Sequence, residues 1–139
     1  MNVVTVRERH AILAGLRLAL APPGRLVSAR EVADFGGIPV KVAEQVLQGL
    51  RRGVAVSKRG RAGGYCLARD AALISVADVV DTVDGSHGGM GRMPNTSPDT
   101  QPSIAPVVGR AEEAARAVLA ATTLADLAGQ ASRSTMYYI

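Results

Sequence analysis

Two short apolar-periodic segments, separated by Gly36-Gly37 and Ile38-Pro39, constrain this chain more than any other feature. Ser28-Ala29-Arg30-Glu31 fits a capping box, in which the Ser28 hydroxyl accepts from the Glu31 amide and the Glu31 carboxylate reaches back. It predicts a short helix with Val32 and Ala33 inward. Gly36-Gly37 ends that helix and supplies a tight turn. Pro39 suits a first helical position, where its missing N–H costs nothing. The next helix is expected to run to about Arg52 and to bury Val42, Val46 or Leu47, and Leu50. Lys41, Glu44, Gln45 and Gln48 then fall largely off the buried stripe. Two short helices joined by a glycine turn, the second opening with exposed polar groups, make a helix–turn–helix.

The flanking segments complete the pattern. A helix is expected from about Arg7 to Ala21, with Ile12, Leu13, Leu16 and Leu20 as its apolar stripe and Pro22-Pro23-Gly24 as its stop. Val54–Ser57 and Tyr65–Leu67 read as two strands of a hairpin, with the cationic loop Lys58-Arg59-Gly60-Arg61-Ala62-Gly63-Gly64 at its tip. Ser75 to Asp78 starts a helix whose stripe is Val76, Val79, Val80 and Val83, and Gly85 ends it. Residues 86–106 hold four Pro and three Gly and read as a linker or loop. A helical pattern resumes at about Val107–Ala121, with an apolar face wide enough to need a second subunit or the main body. Thr123 to Asp126 caps one further turn, and residues 129–135 read as a flexible tail. The fold class is therefore mainly α with a small β-hairpin wing. Its expected parts are a winged helix–turn–helix domain (1–85), a linker (86–106), a dimerisation helix region (107–128) and a tail (129–139).

Aromatics make up only 3% of the residues against 47% hydrophobic, so the core must be built from Ala, Val, Leu and Ile, which suits packed helices. Charge is unevenly placed. Residues 1–69 hold twelve Lys/Arg and four Asp/Glu, a net +8, whereas residues 70–139 hold four and eight, a net −4. From Arg51 to Arg69 there are six basic residues and no acid, which points that half toward an anionic partner. The single cysteine, Cys66, rules out an intrachain disulfide and a cysteine-only metal or cluster site. No segment approaches the ~18 apolar residues of a membrane span. No secretory signal is visible, so a cytoplasmic protein is the expectation. The chain holds two histidines, no Ser/His/Asp or Cys/His constellation and no Walker loop, which argues against an enzyme.

These residues resemble the Rrf2 family of bacterial winged-helix transcription regulators. The resemblance runs from Val4 to Leu127. It rests on Ile38-Pro39, Glu44-Gln45, Leu47, Leu50-Arg51-Arg52, Ser57, Arg59-Gly60, Gly63-Gly64-Tyr65, Leu67-Ala68, the segment Ile74 to Gly85, and Thr123-Leu124-Ala125-Asp126-Leu127. The chain departs from the family pattern in having Val42-Ala43 where a Tyr-Leu pair is usual, His10 where an aromatic is usual, and a segment between Arg52 and Ser57 one residue shorter. Many members also hold an iron–sulfur cluster on three cysteines before the long dimerisation helix. Here the segment from Ser86 to Val108 has none, and its His87 and Met90 do not replace them. The chain is more similar to a cluster-free branch that represses cysteine metabolism in Gram-positive bacteria and acts together with cysteine synthase. That likeness lies in residues 122–128 and in the terminal Met136-Tyr137-Tyr138-Ile139. It implies a homodimer that binds double-stranded DNA, needs no cofactor, and engages cysteine synthase through Tyr137, Tyr138 and Ile139.

The expected chemistry follows from residue types. The second helix would enter the major groove. Pro39 and Val40 offer apolar contact, Lys41 reaches phosphate or guanine, Glu44 accepts from cytosine, and Gln45 pairs with adenine. Glu44 could equally pair with Lys41 three residues earlier. In the wing, Arg59 beside Gly60 is the groove-reading cation, with Lys58 and Arg61 on phosphates. Arg7 and Arg9 are further phosphate contacts, and Arg51 and Arg52 either do the same or cap a helix end. Cys66 reads as a small apolar residue or as a redox sensor. His10 reads as structural.

Overall fold

A computed structural model describes residues 3–60, 63–84 and 102–137, with side chains through Arg133. Six helices and one hairpin follow in the order α1 (Val6–Leu20), α2 (Ala29–Gly36), α3 (Val40–Leu50), β1 (Ala55–Lys58), β2 (Gly64–Leu67), a 3-10 turn (Ala71–Leu73), α4 (Val76–Asp84), α5 (Ala105–Ala121) and α6 (Leu124–Tyr137). The strands pair antiparallel, with Ala55 opposite Leu67 and Lys58 opposite Gly64. Strand β1 lies one residue later than expected, and β2 begins one residue earlier and ends at Leu67 as expected. Gly85 and residues 86–101 lie outside the described residues.

Local signals start most of the helices. Thr5 and Glu8 form a capping box on α1, and Ser28 and Glu31 form the expected one on α2. Ser75 and Asp78 do the same for α4, and Thr123 and Asp126 for α6, through amide-to-side-chain bonds of 2.9–3.0 Å. Substituting one such cap by alanine typically costs ~1 kcal/mol. Gly37, at φ 63°, closes α2 in the left-handed conformation open to glycine. Pro39 is the N-cap of α3 rather than its first helical residue, with extended backbone at ψ 143°. Helix α3 ends at Leu50, two residues before the expected limit, because the chain turns at once into the hairpin through Val54 N–H donating to Leu50 C=O.

The core gathers around α1, which touches α2, α3, α4 and α6. Its buried face is Ala11, Ala14, Gly15 and Leu18, whereas the expected stripe of Ile12, Leu13, Leu16 and Leu20 is only half-buried. Small residues face inward because several helices crowd one. A Cβ on Gly15 would already stand 3.3 Å from the Leu124 side chain. Leu13 lies across Gly36 of α2, where a Cβ would overlap it. Ala43, Val46, Leu47 and Leu50 fill the core from α3, with Val42 half-buried. From α4 come Val79 and Val83, and Ile74 and Leu124 join them. Full burial of such an aliphatic side chain stabilises by roughly 1.5–3 kcal/mol.

The last two helices differ from expectation. Helix α5 begins at Ala105, so Pro106 falls in its first turn, where proline is tolerated, and not in the linker. Helix α6 runs to Tyr137, where one turn and a tail were expected. Its start is fastened twice: Val76 N–H donates to Thr122 C=O and Leu124 N–H to Ile74 C=O, at 2.8 and 2.9 Å. Fully buried Leu124 then anchors it beneath α1. The segment beyond Leu127 has weak apolar periodicity but no proline to stop a helix already nucleated. Among the described residues, no helix is long and apolar enough to cross a membrane.

Candidate nucleic-acid interface

The register of α3 decides what its outer face presents. With Ala43, Val46, Leu47 and Leu50 inward, Lys41, Glu44, Gln45 and Gln48 share the opposite face and Arg52 follows in the turn after the helix, all exposed. These five side chains line an open groove of about 890 Å³. Arg7 and the α2 start at Ser28 and Ala29 form one bank, and Gly63, Gly64 and Tyr65 of the wing form the other. The groove is thus bounded by three separate stretches of chain that the fold brings together.

The wing is fixed at its base. Tyr65 exchanges both backbone hydrogen bonds with Val27, at 2.8 Å each, so the segment before α2 acts as a third edge to the hairpin. This approach demands glycine at 64, because a Cβ there would lie 2.7 Å from the Val27 carbonyl oxygen. At the tip, Gly60 has φ 126°, a conformation that side-chain-bearing residues rarely adopt. Lys58, Arg59 and Gly60 are exposed at the hairpin end. Arg61 lies outside the described residues.

Several cations away from the groove are held in ion pairs. Arg17 and Arg25 both reach Glu31, at 3.8 and 2.6 Å, Arg30 pairs with Asp34, and Arg69 lies 3.7 Å from Asp78. Arg116 binds Asp81 through two hydrogen bonds. Arg7, Lys41 and Arg52 on the groove have no carboxylate partner among the described residues, nor do Lys58 and Arg59, which lie at the hairpin end and do not line the groove, nor Arg9, Arg51, Arg110 and Arg133 elsewhere. Glu44 is the one acid lining the groove and forms no ion pair with Lys41. Unpaired cations along a groove are what a phosphate backbone neutralises. The Glu31 carboxyl is held below the usual carboxylate range, first by the Ser28 amide and then by Arg25 and Arg17, with desolvation opposing.

Not every expected contact converges. Arg7, Lys41, Glu44 and Gln45 meet in the groove. Pro39 is exposed beside it, but Val40 is half-buried against the core. Arg9 turns back to the Val4 carbonyl at 3.3 Å and does not line the groove. Arg51 donates to Gln48 at 3.0 Å. His10 is half-buried on α1. Cys66 is half-buried on β2 and opens on a separate cavity of about 400 Å³ that Arg25 and Arg69 also line. For Tyr137 only its place at the end of α6 is described, and Tyr138 and Ile139 lie outside the described residues. Sequence reasoning missed Tyr65, which lines the groove and accepts a hydrogen bond from Gln48 at 3.1 Å. Helical spacing places Gln48 on the outer face with Glu44 and Gln45, but no local signal points to Tyr65, 17 positions away.

Comparison with known proteins agrees with this geometry. A protein named as an HTH-type transcriptional regulator, Rv1287 of Mycobacterium tuberculosis, is 37% identical over 134 residues, covering 92% of this chain and 82% of that protein. The solved structure of CymR, the global cysteine regulator of B. subtilis, superposes with a TM-score of 0.75 at 25% identity, covering 94% of this chain and 98% of that one. T. potens IscR superposes with a TM-score of 0.76 at 28% identity, covering 97% and 96%. The family model described as "Rrf2: Iron-dependent Transcriptional regulator" matches residues 4–130. With a helix–turn–helix, a wing and a cationic groove between them, the chain belongs to the Rrf2 family of transcriptional regulators.

Proposed function

We propose that this regulator acts as a homodimeric repressor that reads a palindromic operator with α3 and the wing. The observation that carries the reading is the groove along α3, which Arg7, Lys41 and Arg52 line without a carboxylate partner among the described residues. Helix α3 enters the major groove, where Lys41, Glu44 and Gln45 face base edges. Arg59 enters the adjacent minor groove, favoured by its negative potential, while Arg7, Arg52 and Lys58 neutralise phosphates. Helix α5 supplies the second copy's seat: none of its residues is buried, and Val107 and Val118 are 55% and 67% exposed. A two-fold dimer requires half-sites about 34–36 Å apart or a multiple of that spacing. Selection of bound duplexes from a random pool, followed by sizing of the complex, tests this. A single unpaired half-site bound by one chain would overturn it.

The chain's donor set does not fit a thiolate-held iron–sulfur cluster. The one cysteine is Cys66 on β2, and the two histidines are His10 on α1 and His87. The repressor is therefore proposed to work without a cluster, and a visible absorption band in protein purified without air would refute that. The likeness to the cysteine regulator CymR supports a role in cysteine metabolism, with residues 137–139 engaging cysteine synthase. Capture of cysteine synthase by the chain and not by a version lacking these three residues is the expected result; equal capture, or none by either, removes the idea.

A further inference from the structure

Gln48 sits between two partners that define its orientation. Arg51 carries only donors, so its guanidinium at 3.0 Å must face the Gln48 amide oxygen. The amide nitrogen is thereby turned to donate to the Tyr65 hydroxyl at 3.1 Å. Both ends of this side chain are satisfied within the protein, unlike Glu44 and Gln45 beside it. Tyr65 in turn is the residue whose backbone is locked to Val27 at the base of the wing. One side chain of α3 is thus bonded to the one wing residue that is itself fastened on both sides.

We infer that Gln48 and Tyr65 form a latch that sets the position of the wing relative to the reading face of α3, and that this latch determines operator specificity rather than general DNA affinity. The inference rests on the DNA-reading role of α3 and the wing proposed above. Arg59 and the α3 side chains must meet two different grooves of one duplex at the same time. A hinge between them that swings freely lets each meet phosphate on any sequence, but lets both meet their own bases only in a fraction of conformations. Gln48 is then a positioning residue and not a base reader.

The test uses Tyr65→Phe, which removes one hydroxyl, alongside Gln48→Ala and the double variant. In the free protein, amides of the β1–β2 hairpin are expected to exchange faster in Tyr65→Phe, with those of α1 and α4 unchanged. Affinity for the selected operator should fall by up to about tenfold, the worth of one hydrogen bond. Affinity for a scrambled duplex and the salt slope should stay as in the unaltered protein. Gln48→Ala should match, and the double variant should be no worse than either single one. Unchanged hairpin exchange in Tyr65→Phe overturns the latch, as do equal losses on both duplexes or additive losses in the double variant. So does a relaxed base preference at one operator position in Gln48→Ala alone. If the unaltered protein prefers no duplex, the operator-reading proposal fails, and the exchange measurement still decides whether the latch exists.

Discussion

Arg59→Ala tests the interface most directly, because its effect can be worked out from the pattern of paired and unpaired charge. Five cations per chain, Arg7, Lys41 and Arg52 on the groove and Lys58 and Arg59 on the wing, are left without a carboxylate among the described residues. If each, whether on a phosphate or within a groove, displaces about one condensed counterion, a dimer makes about ten such contacts and log K falls against log salt with a slope near −9. Removing Arg59 takes one contact from each subunit, so the slope should become shallower by about 1.8. The Arg59 side chain is exposed and makes no described hydrogen bond, so the fold should be untouched, with surface substitutions of this kind worth within about 0.5 kcal/mol. The assay is fluorescence anisotropy of a labelled operator over a salt titration, with thermal unfolding as the control. A variant with unaltered slope and affinity would show that the wing tip stays clear of the duplex.

Other substitutions separate wing, core and cap. Gly64→Ala should push the wing off Val27, because the new Cβ meets backbone that cannot rotate away; operator binding should drop while helical circular dichroism is kept, and normal binding would refute the close fit. Leu124→Ala removes a fully buried side chain between α1 and α6 and should cost about 2–5 kcal/mol in a denaturant titration; a loss under about 1 kcal/mol would mean that α6 is not anchored there. Because its folded-state pKa is depressed, Glu31 contributes stability that is present above the ordinary glutamate value and is lost as pH falls through the folded value. Glu31→Gln should therefore flatten the acid side of the stability profile, and parallel profiles for the two proteins would contradict the cap's electrostatic role.

How much of this was legible in the sequence depends on whether the signal is local. Ser28 with Glu31 and the glycines after α2 announce the helix–turn–helix within a dozen residues, and the cationic glycine loop announces the wing. The face of α1 was not legible. Ile12, Leu13, Leu16 and Leu20 are the large apolar residues, yet Ala11, Ala14, Gly15 and Leu18 are buried. Periodicity weighted by side-chain size picks the wrong stripe when four helices press on one, since close approach selects small residues. The length of helix α6 was not legible for a related reason, because buried Leu124 and the backbone bonds to Ile74 and Val76 fasten its start to distant chain. In the groove, Lys41, Glu44 and Gln45 could be placed from helical spacing, but the bond from Gln48 to Tyr65 joins positions 17 apart, and only the tertiary fold brings them together.

Small residues on α1 and the geometry of the wing are connected. The tight approach of Leu124 and Leu13 to glycines on α1 and α2 fixes the relative placement of α1, α2 and α6 by contact of rigid backbone with side chain. Helix α2 begins directly after Val27, which holds Tyr65. Helix α3 is bound to the same assembly through Leu47 and Leu50, both fully buried. The wing and the reading helix are therefore referred to one core by two routes, one through Val27 and one through α3, and the Gln48–Tyr65 bond closes the loop between them. A closed loop of this kind resists rotation that either route alone would permit. A protein with so few aromatics thereby holds its wing and α3 at a fixed spacing.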